Sequence, residues 1–464
     1  MSKRIFKLLS LGIVLAFLVA SCAPQPTPAP ATEPPQEAVP APYNDAKIDW
    51  KQFAGSKITV GVVDFGDTQI LKDQVPEFEA LTGIDVDYQP YPEAEWNQKL
   101  IVDLQSTAAQ FDVLLSDFMY LPQFAEAGFI ENVDAYLNDP ALTDGAWYDL
   151  EDLFPALRSA AQVDNKYWGL PLSTESTLLY YRKDLFEQAG LKPPETMDEL
   201  MAAAKALNKP GERAGIALRG LRGQGINIYV WSGFFRAFGG EFFKDFPNDL
   251  TPTVNTPEGV AATEFYASIL QEYGPEGAST WDWAEVLTAQ QQDKTTMAID
   301  ATDFGFQIDD PAKSQTAGKW GYALVPEGPA GRFPSVFSFI FTINADSKNK
   351  EASWLFLEWA TSKPVVQTRA MKSGTAIRSS IWEDPKLAEN LKYVGDGEWM
   401  KKFAESLNIA DANYRPRFSY WREMGDRLGI AVQSVIAGEK DAQTAMDDAQ
   451  KDISQLMKEN GLIP

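Results

Sequence analysis

No histidine occurs in the 464 residues, and cysteine occurs once, as Cys22. Histidine is the commonest general base and the commonest transition-metal ligand. Its absence excludes Ser-His-Asp triads, Cys-His pairs and HExxH zinc sites, while chemistry that uses only carboxylates remains open. A single cysteine closes no internal disulfide and builds no cysteine-based zinc site. Positive charge is also in deficit, with 41 Lys and Arg against 65 Asp and Glu. Without Lys3, Arg4 and Lys7 the basic count falls from 41 to 38, for a net charge of −27. Such a surface repels nucleic-acid phosphates and anionic lipid, so no nucleic-acid partner is expected. Its simplest use is solubility at an exposed cell surface.

What is present begins at the first residues. Lys3, Arg4 and Lys7 precede an apolar run from Leu8 to Val19, broken by Ser10 and Gly12. That run falls short of the about 20 apolar residues a membrane span requires. A basic start, a short apolar core and small residues at a cleavage site describe a secretory signal over 1–21. The site, Leu18-Val19-Ala20-Ser21-Cys22, resembles the bacterial lipobox, in which the cysteine becomes the lipidated first residue. The alternative is an ordinary signal peptide with a chance cysteine. Residues 22–46 then form a lipidated N-terminus and linker, eight of the 20 residues from Ala23 to Pro42 being proline. At about 3.1 Å per residue such a stretch reaches roughly 60 Å, enough to hold a domain off a membrane. The expected location is the bacterial cell envelope, on the outer side of the cytoplasmic membrane or facing the periplasm. The membrane is touched only through the lipid.

Downstream, β-branched residues from Lys57 to Val63 predict a strand, and the next stretch predicts a helix stopped at Thr82-Gly83. Ile84 to Tyr88 alternates as a strand, Trp96, Leu100 and Leu104 share a helical face, and Phe111 to Leu115 reads as a buried strand. This β-α-β-α-β order predicts an α/β fold with mostly parallel sheets flanked by helices. Helices are also predicted over Asp198–Leu207 and Pro257–Tyr273. Near the end, Met424, Leu428, Val432 and Val435 mark one further helix, and Met446, Ile453 and Leu456 another.

Several stretches together resemble the extracellular solute-binding proteins that serve sugar importers. They are Asp64-Phe65-Gly66-Asp67, Phe111 to Phe118, Tyr167 to Ser176 running into Leu179 to Phe186, and Thr296 to Asp300 followed by Trp320 to Pro326. The resemblance implies two α/β lobes facing across a cleft. The first lobe would comprise 47–168 and 340–382, the second 169–339 and 383–464. Leu170 to Ser176 and Val336 to Phe341 would be crossovers. Ligand would bind between the lobes, at the carboxyl ends of strands, and a hinge motion would bury it.

A sugar has hydroxyl edges and apolar C–H faces, so a site for it pairs aromatic rings with carboxylates and amides. Glu175 interrupts an otherwise apolar and hydroxyl-bearing stretch and is followed by Ser176; the resemblance places a ligand-binding carboxylate there. Phe65 and Asp67 follow the first strand, and Asp117 and Phe118 the third. In the second lobe Asn227, Tyr229, Trp231 and Trp283 are candidates, with Asp300, Asp303 and Phe304 after a strand. At Phe337-Ser338-Phe339 relatives often carry Gly-Gly-Trp, and Ala301 replaces a glycine; both departures favour a monosaccharide or polyol over a long oligosaccharide. Arg378 offers a planar donor fork, and Trp421 resembles a late aromatic plate of the family. No metal and no cofactor is expected.

The resulting expectation is a monomeric, non-enzymatic lipoprotein that captures a neutral sugar or sugar alcohol for the permease of an ABC importer. Two alternatives remain at this level. The same fold would serve a peptide, polyamine or anion with other side chains. A glycoside hydrolase would need only two carboxylates roughly 5–9 Å apart and no histidine.

Overall fold

The computed structural model describes residues 39–464. The signal segment, most of the linker and the lipidation expected at Cys22 lie outside them. Strands are β1 Lys57–Val63, β2 Asp85–Tyr91, β3 Val113–Asp117, β4 Gln162–Val163, β5 Lys166–Tyr167, β6 Leu170–Pro171, β7 Glu175–Arg182, β8 Phe243–Asp245, β9 Asp249–Pro252, β10 Met297–Ala301, β11 Trp320–Leu324, β12 Val336–Phe337 and β13 Phe339–Ile343.

The first sheet has the order β2-β1-β3-β13-β6. Within it β1 pairs in parallel with β2 and β3, and its Ile58, Val60 and Val62 are fully buried. Helices Gly66–Thr82 and Glu93–Leu104 make the parallel crossovers. The first ends at Gly83, whose φ of 71° terminates it in a left-handed cap. Gly61 has a packing reason: a Cβ there would lie 2.2 Å from the indole of Trp96, which sits under the sheet.

The second sheet is built around β7, with β10, β11 and β12 all antiparallel to it. This differs from the mostly parallel order the sequence predicts. The strand–helix alternation that signals parallel pairing is confined to the first 60 residues or so of the folded part, and β7 enters the second sheet from the first rather than from a helix.

The way the two sheets connect sets the two-lobed architecture. The stretch from Leu170 to Tyr181 reads as one strand in sequence but is two. β6 pairs with β13 in the first sheet, and β7 belongs to the second. The return passage behaves alike: β12 pairs with β7, β13 with β3, and Ser338 is the single residue between them. The two crossings are bonded to each other. Ser338 Oγ donates to the Ser173 carbonyl at 2.6 Å, and the Phe339 amide donates to Ser173 Oγ at 3.1 Å. At the C-terminal end, helix Trp421–Ile436 packs on helices Ala442–Glu459, Pro257–Tyr273 and Asn227–Ala237. Its stripe of Met424, Leu428, Val432 and Val435 is buried. Each such side chain contributes about 1.5–3 kcal/mol by leaving water. Among the described residues no helix is long and apolar enough to cross a membrane.

Candidate functional site

Where the crossings pass between the sheets, the chain leaves a cavity of about 300 Å³. From the first sheet's side it is lined by Asp117 at the end of β3, by Tyr120, and by Glu93 and Asn97 of the crossover helix that precedes β3. From the second sheet's side come Glu175, the first residue of β7, with Ala301, Asp303 and Phe304 after β10. Phe337 and Phe339 of the return crossing form a further wall. The loop before helix Asn227–Ala237 supplies Arg219, Gln224 and Gly225, that helix supplies Tyr229, and Trp283 and Arg415 complete the lining. A larger hollow of about 940 Å³ lies among Asn208–Ala214, Leu270–Ser279 and Ile436–Gly438, entirely on elements of the second sheet's side. It has one aromatic residue, Trp281, and none of the residues that the sequence singles out. The smaller cavity, with rings and acids converging from both sheets, is therefore the candidate site.

Its aromatic wall is continuous. Phe65 lies 5.2 Å from Phe339, Phe339 4.9 Å from Phe337, and Phe337 6.1 Å from Phe118, between ring centroids. The departure from Gly-Gly-Trp at Phe337-Ser338-Phe339 thus replaces one plate by two phenylalanines that face the cavity. Across from them Trp283 is 49% exposed, unusual for an indole that packs nothing else in the core.

The acids are placed where burial works against their charge. Glu175 is pushed up to about 8, first by burial and then by the negative charge of Asp303. Arg219 and the Tyr229 hydroxyl oppose this. Asp303 rises to about 6 through burial and the neighbouring Asp300. Its Oδ1 has no hydrogen-bond partner within the chain. Asp117 also rises to about 6 by burial, against the Met119 amide that donates to it at 2.8 Å and the nearby Arg415. Buried carboxylates without donors are costly, and Asp303 presents one oxygen in that state to this cavity.

The cations are already committed in part. Arg219 donates to Asp300 and to the Gly225 carbonyl, and its guanidinium lies 4.8 Å from the Tyr229 ring centroid. Burial disfavours that cation, but Asp300 more than offsets it and raises the pKa. Arg415 is 1% exposed and donates to the Gln224 carbonyl at 2.7 Å, while its Nε is without a partner. Among the described residues no group of three or more acids, cysteines or histidines is placed to hold a metal ion.

Of the residues singled out in sequence, Glu175, Asp117, Tyr229, Trp283, Asp303, Phe304 and Phe337 line the cavity. Phe65, Phe118, Asp300 and Trp421 stand one layer behind it. Trp421 donates to Gln224 Oε1 at 3.2 Å, so it braces the lining instead of forming it. The remaining six are occupied elsewhere. Asp67 is buried beside Arg369 and accepts from Thr375. Ser176 Oγ donates to the Ser335 carbonyl at 2.8 Å. Asn227 ties Gly223 to Gly429, and Trp231 is fully buried against Phe235. Ser338 binds Ser173 across the crossings. Arg378 is fully buried and donates to the carbonyls of Thr361 and Asp149 inside the first sheet's side, so its donor fork faces no cavity. Sequence reasoning passed over Glu93, Asn97, Tyr120, Arg219, Gln224 and Arg415. No local motif marks them, and only the convergence of distant loops brings them together.

A family model described as bacterial extracellular solute-binding protein matches residues 64–367. A mannitol-binding protein of Pseudomonas aeruginosa is 28% identical over 385 residues, covering 78% of this chain and 84% of the relative. A probable amino-acid ABC transporter periplasmic-binding protein of Sinorhizobium fredii is 30% identical over 425 residues, covering 89% and 92%. Among solved structures, an ABC transporter solute-binding protein of Agrobacterium radiobacter K84 in complex with ribitol superposes with a TM-score of 0.75 at 28% identity. That match covers 87% of this chain and 99% of the other.

Proposed function

Because this chain belongs to the bacterial extracellular solute-binding proteins, we propose that its cavity captures a sugar alcohol or small sugar and presents it to the permease of an ABC importer. The observation that carries the reading is the pairing of three carboxylates, Glu175, Asp117 and Asp303, the last with an unpartnered oxygen, with the rings of Phe337, Phe339, Tyr229 and Trp283 around one small space. Hydroxyl groups supply the missing donors, and C–H faces cover the rings. A volume of about 300 Å³ stands at the lower end of small-molecule sites, which suits one short polyol or one ring. The mannitol-binding relative and the ribitol complex support the same ligand class. The polar groups serve binding, and nothing turns over.

The lobes are proposed to comprise 47–168 with 340–382 and 169–339 with 383–464, and Cys22 to carry the lipid that tethers the chain at the cell envelope. A second reading is favoured by one feature. The unpartnered Nε–H of Arg415 would donate to a carboxylate while the acids hold an ammonium, which would suit an amino acid, in line with the Sinorhizobium relative.

A thermal-shift panel of polyols, monosaccharides and amino acids tests both. A ligand at 100 times its dissociation constant adds about 2.7 kcal/mol of stability. The Glu175→Ala variant is expected to bind the responding polyol more weakly by about 1–3 kcal/mol in calorimetry. An amino acid as the sole responder replaces the first reading by the second. Unchanged affinity in Glu175→Ala removes that residue from the site.

A further inference from the structure

The segment 411–420 joins helix Glu398–Ile409 to helix Trp421–Ile436. Helix Glu398–Ile409 packs on β7 and β11 and also touches helix Pro155–Ala160, and the segment adds contacts to the first sheet's side at three places. Arg417 donates to the carbonyl of Ala160 at 2.9 Å. Its guanidinium also stands 5.9 Å from the ring centroid of Phe118, beside the cavity's aromatic wall. Ser419 Oγ hydrogen-bonds the carboxylate of Glu126. Ala160 is the last residue of helix Pro155–Ala160, where carbonyls have no partner within the helix and a cation is favoured. Phe118 and Glu126 belong to the short helices that follow β3.

Two residues earlier in the same segment, Arg415 faces the cavity itself. One short stretch of backbone therefore connects a cavity-lining cation to bonds that span the two sides of the cleft. Arg417 does not line the cavity and has no carboxylate bonded to it; its Nε donates to Asn413 Oδ1 at 3.1 Å. Burial brings its pKa down to about 10, with only Asp411 opposing. Of its contacts, those to the Ala160 carbonyl and the Phe118 ring are made to the first sheet's side.

We infer that the segment 411–420 is a latch that holds the lobes together over the ligand, with Arg417 as its positioning residue. This rests on the cavity being the ligand site. Lobe separation would strip Arg417 of the Ala160 carbonyl and the Phe118 face together, and would part Ser419 from Glu126. The latch therefore acts on release more than on entry, since a bond formed on closure lengthens residence.

The test is stopped-flow tryptophan fluorescence with D-mannitol and ribitol on wild type, Arg417→Met, Arg417→Lys and Ser419→Ala. Arg417→Met is expected to raise the dissociation rate about ten-fold with an association rate within about three-fold of wild type. The melting temperature without ligand should be unchanged. Arg417→Lys, which keeps one cationic donor, should fall between the two, and Ser419→Ala should move the same way by less. A dissociation rate equal to wild type in Arg417→Met overturns the latch. So does a faster rate accompanied by a matching loss of melting temperature, which would mark a purely structural role. Should neither polyol bind the wild type, it is the reading of the cavity that fails. Small-angle scattering with the monosaccharide or amino acid that responds in the thermal-shift panel then decides the latch: a larger radius of gyration for Arg417→Met than for wild type upholds it, and equal radii overturn it.

Discussion

Arg219 and Asp300 form a closed ion pair behind the cavity, the guanidinium Nε lying 3.0 and 3.1 Å from the two carboxylate oxygens. Both side chains are shut away from solvent, and the pair joins the cavity lining, through Arg219, to β10 of the second sheet, which carries Asp300. It explains why Arg219 can sit beside Glu175 without neutralising it: most of its charge is already answered by Asp300. Asp300→Ala leaves a buried guanidinium without its counter-charge, which costs about 3–5 kcal/mol. The urea midpoint is expected to fall accordingly. The double replacement Asp300→Leu with Arg219→Met should recover most of that loss, because it removes both buried charges. A single variant as stable as wild type would show that the pair carries no structural weight.

Two tryptophans separate binding from stability. Trp283 is 49% exposed at the cavity, whereas Trp231 is fully buried against Phe235 and Phe242. Trp283→Ala should leave unfolding stability within about 0.5 kcal/mol while weakening polyol binding by about 0.5–1.5 kcal/mol. Trp231→Ala should cost about 3–5 kcal/mol of stability. Calorimetric binding and urea unfolding on the two variants check this, and the reverse pattern would exchange their roles.

The cavity acids make stability depend on pH in a direction opposite to that of salt-bridged carboxylates. Burial holds Glu175 at about 8, and Asp303 and Asp117 at about 6, all above the ordinary range. The folded chain thus binds these protons more tightly than the unfolded chain. Their contribution is complete below the ordinary carboxylate range and is lost as pH rises through about 6 and then about 8. Urea midpoints measured from pH 5 to 8 should decline for wild type and decline less for Glu175→Gln, which has no proton to lose. Parallel curves for the two proteins would contradict the assignment.

The bond between the crossings predicts a hinge effect. Ser338→Ala deletes the 2.6 Å donation to the Ser173 carbonyl in a fully enclosed place. A loss of about 0.5–1.5 kcal/mol is expected, together with faster hydrogen exchange of the Phe339 amide, which donates to Ser173 Oγ. Exchange unchanged at Phe339 would place the flexible point elsewhere.

Much of this molecule is legible from local patterns. β1, the crossover helices and the last two helices follow from residues that favour strand or repeat at helical spacing, and each is found where that spacing puts it. Glu175 was legible for a different reason: an acid among apolar strand residues needs a partner or a task. The six candidates that missed the cavity share one failing. Ser176, Asn227, Ser338, Arg378, Asp67 and Trp231 all have polar atoms or rings that neighbouring backbone or core can satisfy, and sequence spacing carries no record of whether it does.

By itself the sequence determined the class of the protein. Composition ruled out histidine and thiol chemistry, periodicity set the elements, and the ordered stretches from Asp64 to Pro326 indicated the family. The tertiary structure alone decided which side chains share a cavity. Arg219 and Gln224 reach it from one loop and Arg415 from another far along the chain, and β6 and β7 part into different sheets within one apolar run. The physical reason is range. Strand and helix preferences act over a few residues, whereas the meeting of Glu93 with Arg415, or of Arg417 with Ala160, depends on how whole sheets and helices pack.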